Sequence, residues 1–196
     1  MPKLGMEPIR RAALVKATIQ EVGEAGSLDV TVSQIAKRAG MSSALAHHYF
    51  GSKEQIFSAA MRHILAAYAQ DVLSVLRRTE SPRARIEGII RASFKPAQFQ
   101  PHMVSAWLNF YVQAQKSAEA RRLLHIYQCR LRSNLAHAFR QIAPAGEART
   151  LTRGLAAMID GLYIRQALRD DMITPGTAID VLFHYLDTSL KQDPPQ

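Results

Sequence analysis

The sequence contains a single cysteine, Cys129, which excludes an intrachain disulfide and any zinc site built on a pair of cysteines. We expect this cysteine to be a small buried side chain in a helix. No run of about 18 or more apolar residues is present. The N-terminal segment has basic residues but lacks the apolar core and cleavage site of a secretory signal. We therefore expect a cytoplasmic protein without a membrane partner.

A strand-like alternation of apolar and polar residues is also missing. Helical periodicity runs from end to end, with breaks at glycine, proline or serine, and it predicts an all-α protein of about nine helices. Short helices give way to long ones near residue 52. We therefore predict a domain of three short helices over residues 1–52, a second domain of longer helices over residues 53–191, and a flexible tail over residues 192–196.

The charge is strongly positive. A formal net charge of +9 and a pI near 10.1 favour a polyanionic partner such as nucleic acid, because binding to phosphates releases counterions. The charge does not locate the site, since residues 1–53 account for a net +3 and most of the excess lies in arginines between positions 121 and 153. A basic helical surface without a specific function remains an alternative at this point.

Residues 31–49 have the spacing of two short helices joined by a tight turn. Thr31 and Gln34 form a capping-box pattern, and Ser42 is the predicted N-cap of the second helix. Gly40 lies where the chain reverses, so it is predicted to have a positive φ. This arrangement is typical of a helix-turn-helix DNA-binding unit, whose second helix enters the major groove.

The second of these helices has two distinct faces. Ala46, Tyr49 and Phe50 are spaced i, i+3 and i+4, so they are predicted to pack inward. Small or hydrogen-bonding side chains occupy the other face, which suits a groove about 12 Å wide. These are Ser43, Ala44, His47 and His48.

The adjacent histidines do not indicate a metal site. Neighbouring side chains in a helix point about 100° apart, and no HxxxH or HExxH pattern surrounds them. No nucleophile or carboxylate motif accompanies them either. We therefore predict no metal, no cofactor and no enzymatic activity. A helical small-molecule enzyme or carrier, and a nonspecific nucleoid-type DNA binder, remain the alternatives from other classes.

The segment TVSQIAKRAGMSSALAHHYFGSKEQI resembles the DNA-binding segment of the TetR family of bacterial repressors. The matching positions are Thr31, Ile35, Ala36, Ala39, Gly40, Ser42, Tyr49, Phe50 and Lys53. The resemblance implies that Thr31 and Lys53 contact phosphates, and that the exposed face of the second helix meets bases or backbone. Many members of the family carry tyrosine in place of His47. We also include Arg10, Arg11 and Ser42 among the candidate DNA contacts.

Segments of the C-terminal half resemble the BetI-type, choline-responsive branch of this family. They are AWLNFY at 106–111, RLRSNLAHAFR at 130–140 and GLAAMIDGLYIRQAL at 154–168. The resemblance implies a homodimeric repressor that binds a pseudo-palindromic operator and controls genes for choline uptake or glycine betaine synthesis. A small effector, choline, would release or modulate it. A TetR-type regulator that senses another ligand is the alternative.

A quaternary ammonium group is attracted to aromatic faces by about 0.5–2 kcal/mol. Trp107, Phe110 and Tyr111 share one helix face and are predicted to form a wall of an aromatic cage, although a plain core has the same pattern. Asp160 and Tyr163 are further candidates, because the carboxylate would balance a bound cation. The last two helices carry apolar faces beside small residues, so we predict that they pair across a twofold axis.

Overall fold

The computed structural model describes residues 5–168 and 172–190, and this part of the chain is helical, with no strand. The helices within it are α1 (Met6–Ala25), α2 (Val32–Arg38), α3 (Ser43–Phe50), α4 (Lys53–Arg78), α5 (Pro82–Ser93), α6 (Pro101–Lys116), α7 (Ala118–Phe139), α8 (Ala145–Ala167) and α9 (Pro175–Leu190). The predicted all-α fold is confirmed. None of these helices is long and apolar enough to cross a bilayer. The predicted tail at 192–196 lies outside the described residues.

Two compact units divide the described chain. The first contains residues 5–66 and 101–124, and thus α1 to α3, the start of α4, all of α6 and the start of α7. The second contains residues 67–100, 125–168 and 172–190, with the remainder of α4 and α7 together with α5, α8 and α9. These units follow packing rather than chain order. The functional boundary after residue 52 stays a prediction.

Capping and a glycine turn build the three short N-terminal helices. Thr31 Oγ1 accepts a hydrogen bond from the backbone N–H of Gln34 at 3.2 Å. The backbone N–H of Thr31 donates in return to Gln34 Oε1 at 2.7 Å. Gly40 has φ of 68°, as predicted, and reverses the chain at low cost because it has no Cβ. Ser42 Oγ then accepts from the Leu45 amide at 3.2 Å. These bonds confirm the predicted starts of α2 and α3.

Helix α1 lies against α6 in the first unit, and Gly23 allows the two backbones to approach closely. A Cβ at this position would lie 2.2 Å from the carbonyl oxygen of His102. Leu14 and Phe110 are almost completely buried in this unit. A small apolar cavity of about 30 Å³ remains among α1, α4 and α6, and Val22 and Phe110 are among the side chains that line it.

In the second unit, α9 packs on α5 and α8 around fully buried apolar side chains such as Ile89, Leu155 and Leu182. Gly154 permits close approach here as well, because a Cβ would lie 2.5 Å from the hydroxyl oxygen of Tyr185. The core therefore accounts for the apolar periodicity of the last two helices and for one of their small residues.

The prediction that Cys129 is buried is wrong. Cys129 is exposed on α7, with Sγ 3.4 Å from Nε2 of the exposed His125. The buried face of this helix is formed by Tyr127, Leu131 and Leu135, and the cysteine lies on the other side. Its place in the helical period decided its exposure, rather than the general preference of cysteine for cores.

Replacing Gly23 by alanine tests the α1–α6 contact. The added methyl group collides with the His102 backbone, so we expect Gly23→Ala to unfold with a free energy about 1–2 kcal/mol lower than that of the wild type. Gly146→Ala is the control, since this exposed helical glycine has nothing within 4 Å of an added Cβ. It should gain up to about 1 kcal/mol from helix propensity. Equal urea midpoints for the two variants would refute the close approach.

Candidate functional site

Helix α3 presents an exposed surface that begins directly after the Gly40 turn. Ala44, His47 and His48 are exposed and lie on one side of the helix, while Ala46 on the opposite side is completely buried. Ser42 is exposed and Ser43 is half-buried. The structure thus brings the predicted surface residues of α3 together.

The predicted inward packing of Tyr49 and Phe50 is correct only in part, because both residues are half-buried. They lie at the edge of the core against α1, where the guanidinium carbon of Arg11 is 5.6 Å and 5.1 Å from their ring centroids. Arg11 Nε also donates to Glu7 at 2.8 Å, and Arg10 Nη1 donates to the Tyr49 hydroxyl at 3.4 Å. Both arginines therefore help to hold α3, and their contact with DNA stays a prediction.

The two histidines have different environments. His47 Nδ1 donates to the carbonyl oxygen of Gly51 at 2.9 Å, just beyond the end of α3. The His48 ring lies 5.5 Å from the Tyr49 ring, with an interplanar angle of 57°. Both side chains keep exposed edges.

The predicted phosphate contacts lie at the first turns of two helices. Thr31 is the exposed N-cap of α2, and Lys53 is the first residue of α4. A second capping pair, Ser52 and Gln55, fixes the start of α4 through bonds of 3.1 Å and 3.3 Å. The Lys53 ammonium lies 5.4 Å from the centroid of the Phe57 ring, so its aliphatic stem is supported while its charge remains near the surface.

An ion-pair clamp, which the sequence interpretation missed, connects α2 to α1. Arg38 Nε donates to Glu21, and its Nη1 donates to Glu24 at 2.8 Å. The hydrogen bond from Arg38 is the main reason that the pKa of Glu24 is lowered. The two glutamates are three residues apart and so share a face of α1, which is a weak sequence signal for a basic partner.

The second unit contains a polar aromatic group that we call the tyrosine cluster: Tyr68, Ser93, Tyr127, Asp160 and Tyr163. The Tyr68 hydroxyl lies 3.3 Å from Ser93 Oγ, and the Tyr163 hydroxyl donates to the Ser93 carbonyl. Tyr127 donates to Asp160 Oδ1 at 3.4 Å. The rings of Tyr68 and Tyr127 meet edge to face at 5.5 Å. Four helices, α4, α5, α7 and α8, thus contribute to one cluster.

Two phenylalanines extend the aromatic surface of the tyrosine cluster. The ring centroids of Phe94 and Phe99 lie 5.5 Å and 5.2 Å from that of Tyr163, and 5.3 Å from each other. Both phenylalanines are buried. Tyr163 is therefore held by ring contacts on one side and by its hydroxyl bond to Ser93 on the other.

The electrostatics of the cluster favour the neutral forms of Tyr68 and Tyr163. Burial raises the pKa of Tyr68 to about 12, and the charge of Asp160 adds to the shift. Burial, and then the proximity of Tyr68 and Asp160, also raises the pKa of Tyr163. Both hydroxyls thus remain protonated donors at neutral pH, and the rings retain the electron-rich faces that attract cations.

The three aromatic residues of α6 lie together, as their spacing predicts. Trp107 Nε1 donates to the Tyr111 hydroxyl at 3.0 Å, and the Trp107 ring lies 5.5 Å from Phe110 and 5.6 Å from Tyr111. They belong to the first unit, where Phe110 lines the apolar cavity. Asp160 and Tyr163 meet in the second unit. The role of all five in effector binding stays a prediction.

Sequence interpretation missed three members of the tyrosine cluster. The spacing of Tyr127 made it a member of an apolar helix face, and it is indeed buried. Tyr68 and Ser93 carried no local signal, because their partners come from distant parts of the chain. Ser93 is the last residue of α5, which also carries charged residues, so its hydroxyl did not stand out in the sequence.

The glycine turn and the exposed face of α3 define a helix-turn-helix DNA-binding regulator. Residues 14–60 match the family of bacterial regulatory proteins of the TetR type, and residues 82–191 match the C-terminal domain of BetI-type transcriptional repressors. The chain belongs to the TetR family and has a BetI-type C-terminal domain, so it is a transcriptional regulator and not an enzyme.

Similar proteins cover nearly the whole chain. The HTH-type transcriptional regulator BetI of Rhizobium meliloti is 48% identical over 97% of this chain and 94% of its own length. The BetI of Brucella anthropi is 50% identical over 97% and 98%. Among solved structures, a TetR regulator from Haloarcula marismortui superimposes with a TM-score of 0.81 at 24% identity, covering 92% of this chain and 98% of its own.

A transcriptional regulator from Saccharomonospora viridis, solved in complex with choline, has a TM-score of 0.79 at 20% identity, with 90% and 95% of the two chains covered. At this identity the likeness concerns the fold.

Alkaline unfolding tests the environment of Tyr68. The fold favours the neutral hydroxyl of Tyr68, so its contribution to the free energy of unfolding is complete below the ordinary tyrosine pKa of about 10. This contribution is lost as the pH rises through the folded pKa of about 12. In Tyr68→Phe, which keeps the ring, we expect the free energy of unfolding to decline less steeply above about pH 10 than in the wild type. Urea titrations at several alkaline pH values measure this, and identical slopes would contradict the shift.

Proposed function

We propose that this repressor binds a pseudo-palindromic operator as a homodimer and that choline releases it, so that genes for choline uptake or glycine betaine synthesis are controlled by choline. The exposed polar face of α3 supports the DNA-binding part. The tyrosine cluster with its carboxylate supports the choline part.

Operator recognition is proposed to involve two sets of side chains. Ala44 and His48 project from α3 toward base edges, and Thr31 and Lys53 contact the phosphates on either side. Phosphate contacts orient a DNA-binding unit on the duplex, whereas contacts to base edges select the sequence. The Arg38 clamp and the Arg11 stack support this role, because they hold α2 and α3 on α1 in a fixed orientation.

Choline recognition is proposed to rest on the tyrosine cluster. The trimethylammonium group of choline has no hydrogen-bond donor. Aromatic faces and a nearby carboxylate are therefore the protein groups suited to its charge. The rings of Tyr68, Tyr127 and Tyr163 offer the faces, and Asp160 offers the charge. The hydroxyl protons of Tyr163 and Tyr127 are donated to Ser93 and Asp160, so their oxygens are acceptors for the choline hydroxyl.

Dimerisation is proposed to use α8 and α9. Each carries an exposed large apolar side chain, Ile164 at 41% exposure and Val181 at 44%. Exposed apolar area on neighbouring helices favours association with a second copy. A dimer carries two α3 helices. A separation of about 34–36 Å between them would let them enter successive major grooves of the operator.

The effector signal is proposed to pass through α4. Lys53 and Tyr68 both belong to this helix, so a ligand at the cluster and a phosphate at the helix start would contact the same element. Choline then favours a dimer whose α3 helices have the wrong spacing for the operator. A regulator with the same mechanism but another small ligand is the second candidate, and the 20% identity of the choline-bound relative leaves room for it.

Replacing Lys53 tests the phosphate assignment. We expect Lys53→Ala to weaken binding to all DNA sequences by a similar factor and to reduce the slope of log K against log salt by about 0.9, since one phosphate contact is lost. Fluorescence anisotropy on the DNA upstream of the protein's own gene and on scrambled DNA measures both. Lys116→Ala removes an equal charge from the exposed end of α6 and is the control. Full affinity with an unchanged salt slope in Lys53→Ala would count against the contact.

Replacing Asp160 tests the cation site. Choline that binds the folded state raises the melting temperature. Asp160→Asn keeps an acceptor for Tyr127 but removes the negative charge. One paired charge in a partly buried site is worth about 1.4 kcal/mol or more, so we expect the affinity for choline to fall at least about tenfold. Asp180→Asn makes the same change at an exposed site on α9 and should behave like the wild type. An unaltered choline shift in Asp160→Asn would exclude this carboxylate, and a wild-type response to another cation alone would favour the second candidate.

A further inference from the structure

The hydrogen bond of His47 determines which of its nitrogens carries a proton. Nδ1 lies 2.9 Å from the carbonyl oxygen of Gly51. A carbonyl oxygen only accepts, so Nδ1 must be the donor. In the neutral imidazole the other nitrogen, Nε2, then has a lone pair and no hydrogen. The end of α3 thus fixes the tautomer of a residue on the candidate DNA-binding surface.

This tautomer has a direct consequence at a DNA backbone. Phosphate oxygens are acceptors, and a neutral His47 would present them with another acceptor. A protonated His47 is different, because it donates through both nitrogens and carries a positive charge. His47 is exposed on the same side of α3 as Ala44 and His48, and Gly51 occupies its Nδ1, so Nε2 is the ring nitrogen left for a ligand.

The charged groups on the elements next to α3 are mostly cationic. The carboxylates of α1 are bonded within the unit, Glu7 to Arg11, and Glu21 and Glu24 to Arg38. Glu54 of α4 has a lowered pKa, because it bonds its own backbone amide and the Ser52 side chain. The charged side chains on α1 and α2, which pack on α3, and at the start of α4 include Glu7, Arg10, Arg11, Lys37, Arg38, Lys53 and Glu54. The surface around His47 therefore carries more cations than anions, which favours the approach of a phosphate.

We propose that His47 contacts an operator phosphate as an imidazolium, with Nε2 donating to the phosphate while Nδ1 remains on the Gly51 carbonyl, so that operator binding takes up a proton. This inference rests on the operator binding proposed above. It makes the occupancy of DNA depend on pH through one named side chain. A tyrosine at this position would donate to a phosphate at any pH near neutrality.

The test is the operator affinity of the full-length protein from about pH 6 to about pH 8.5, the range in which an imidazole changes its charge. The probe is the DNA upstream of the protein's own gene, at constant salt, followed by anisotropy. Proton uptake stabilises the complex at low pH, and this gain is lost as the pH rises. We expect the wild-type affinity to fall with increasing pH, by at most about tenfold per pH unit for one proton.

Two variants separate His47 from its neighbour. His47→Tyr supplies a donor that does not titrate in this range, so its affinity should be nearly independent of pH and should exceed that of the wild type at about pH 8. His48→Gln alters a proposed base contact and so should bind more weakly at every pH, but it retains His47 and should keep the wild-type slope of affinity against pH. A pH dependence that persists in His47→Tyr, or disappears in His48→Gln, would overturn the proposal.

The direction of the pH dependence and the tautomer of His47 provide two further checks. An affinity that increases with pH would mean that neutral His47 accepts from a base amino group, and it would overturn the phosphate contact. Nitrogen NMR of the free protein reports the tautomer directly, and an Nε2–H form would overturn the proposal without any DNA. Failure of the proposed function is distinguishable, because wild-type protein would then show no preference for the upstream DNA over scrambled DNA at any pH.

Discussion

The reversal of the chain at Gly40 is the constraint on which the DNA-binding surface depends. Its positive φ directs α3 back across α2, with Ala46 inward and Ala44, His47 and His48 outward. The surrounding bonds then make this orientation rigid. Capping fixes the starts of α2 and α4, the Arg38 clamp connects α2 to α1, and Arg11 covers the aromatic end of α3. A DNA-binding helix must have a fixed orientation, because base contacts select a sequence only when their geometry is set in advance.

The tyrosine cluster follows a different logic. Burial keeps Tyr68 and Tyr163 protonated, and Asp160 strengthens that effect because a second negative charge nearby is unfavourable. The same carboxylate and the same neutral rings form the environment that a small organic cation requires. Tyr68 and Lys53 both belong to α4, which is why the proposed effector signal is assigned to this helix.

Local physics made the fold and the exposed face of α3 predictable from the sequence. Helix starts at Thr31, Ser42 and Lys53 depend on neighbours three residues away, and the φ of Gly40 depends on one residue. The tyrosine cluster was predicted only at Asp160 and Tyr163, because Tyr68, Ser93 and Tyr127 are united by tertiary packing between distant helices. The half-burial of Phe50 and the exposure of Cys129 likewise depend on what lies opposite each helix face. The Arg38 clamp required knowledge that α2 crosses α1 near Glu24.

The proposed release of the operator requires a coupling between choline and DNA, which we propose to bind different residues. Thermodynamic linkage requires that choline weaken operator binding by the same factor by which the operator weakens choline binding. The most direct measurement is the affinity of the wild-type dimer for the DNA upstream of its own gene, followed as choline is added at constant pH and salt. We predict a decrease that saturates with choline, typically about 5- to 150-fold for such couplings. An operator affinity that does not change, or that increases, with choline would contradict the account.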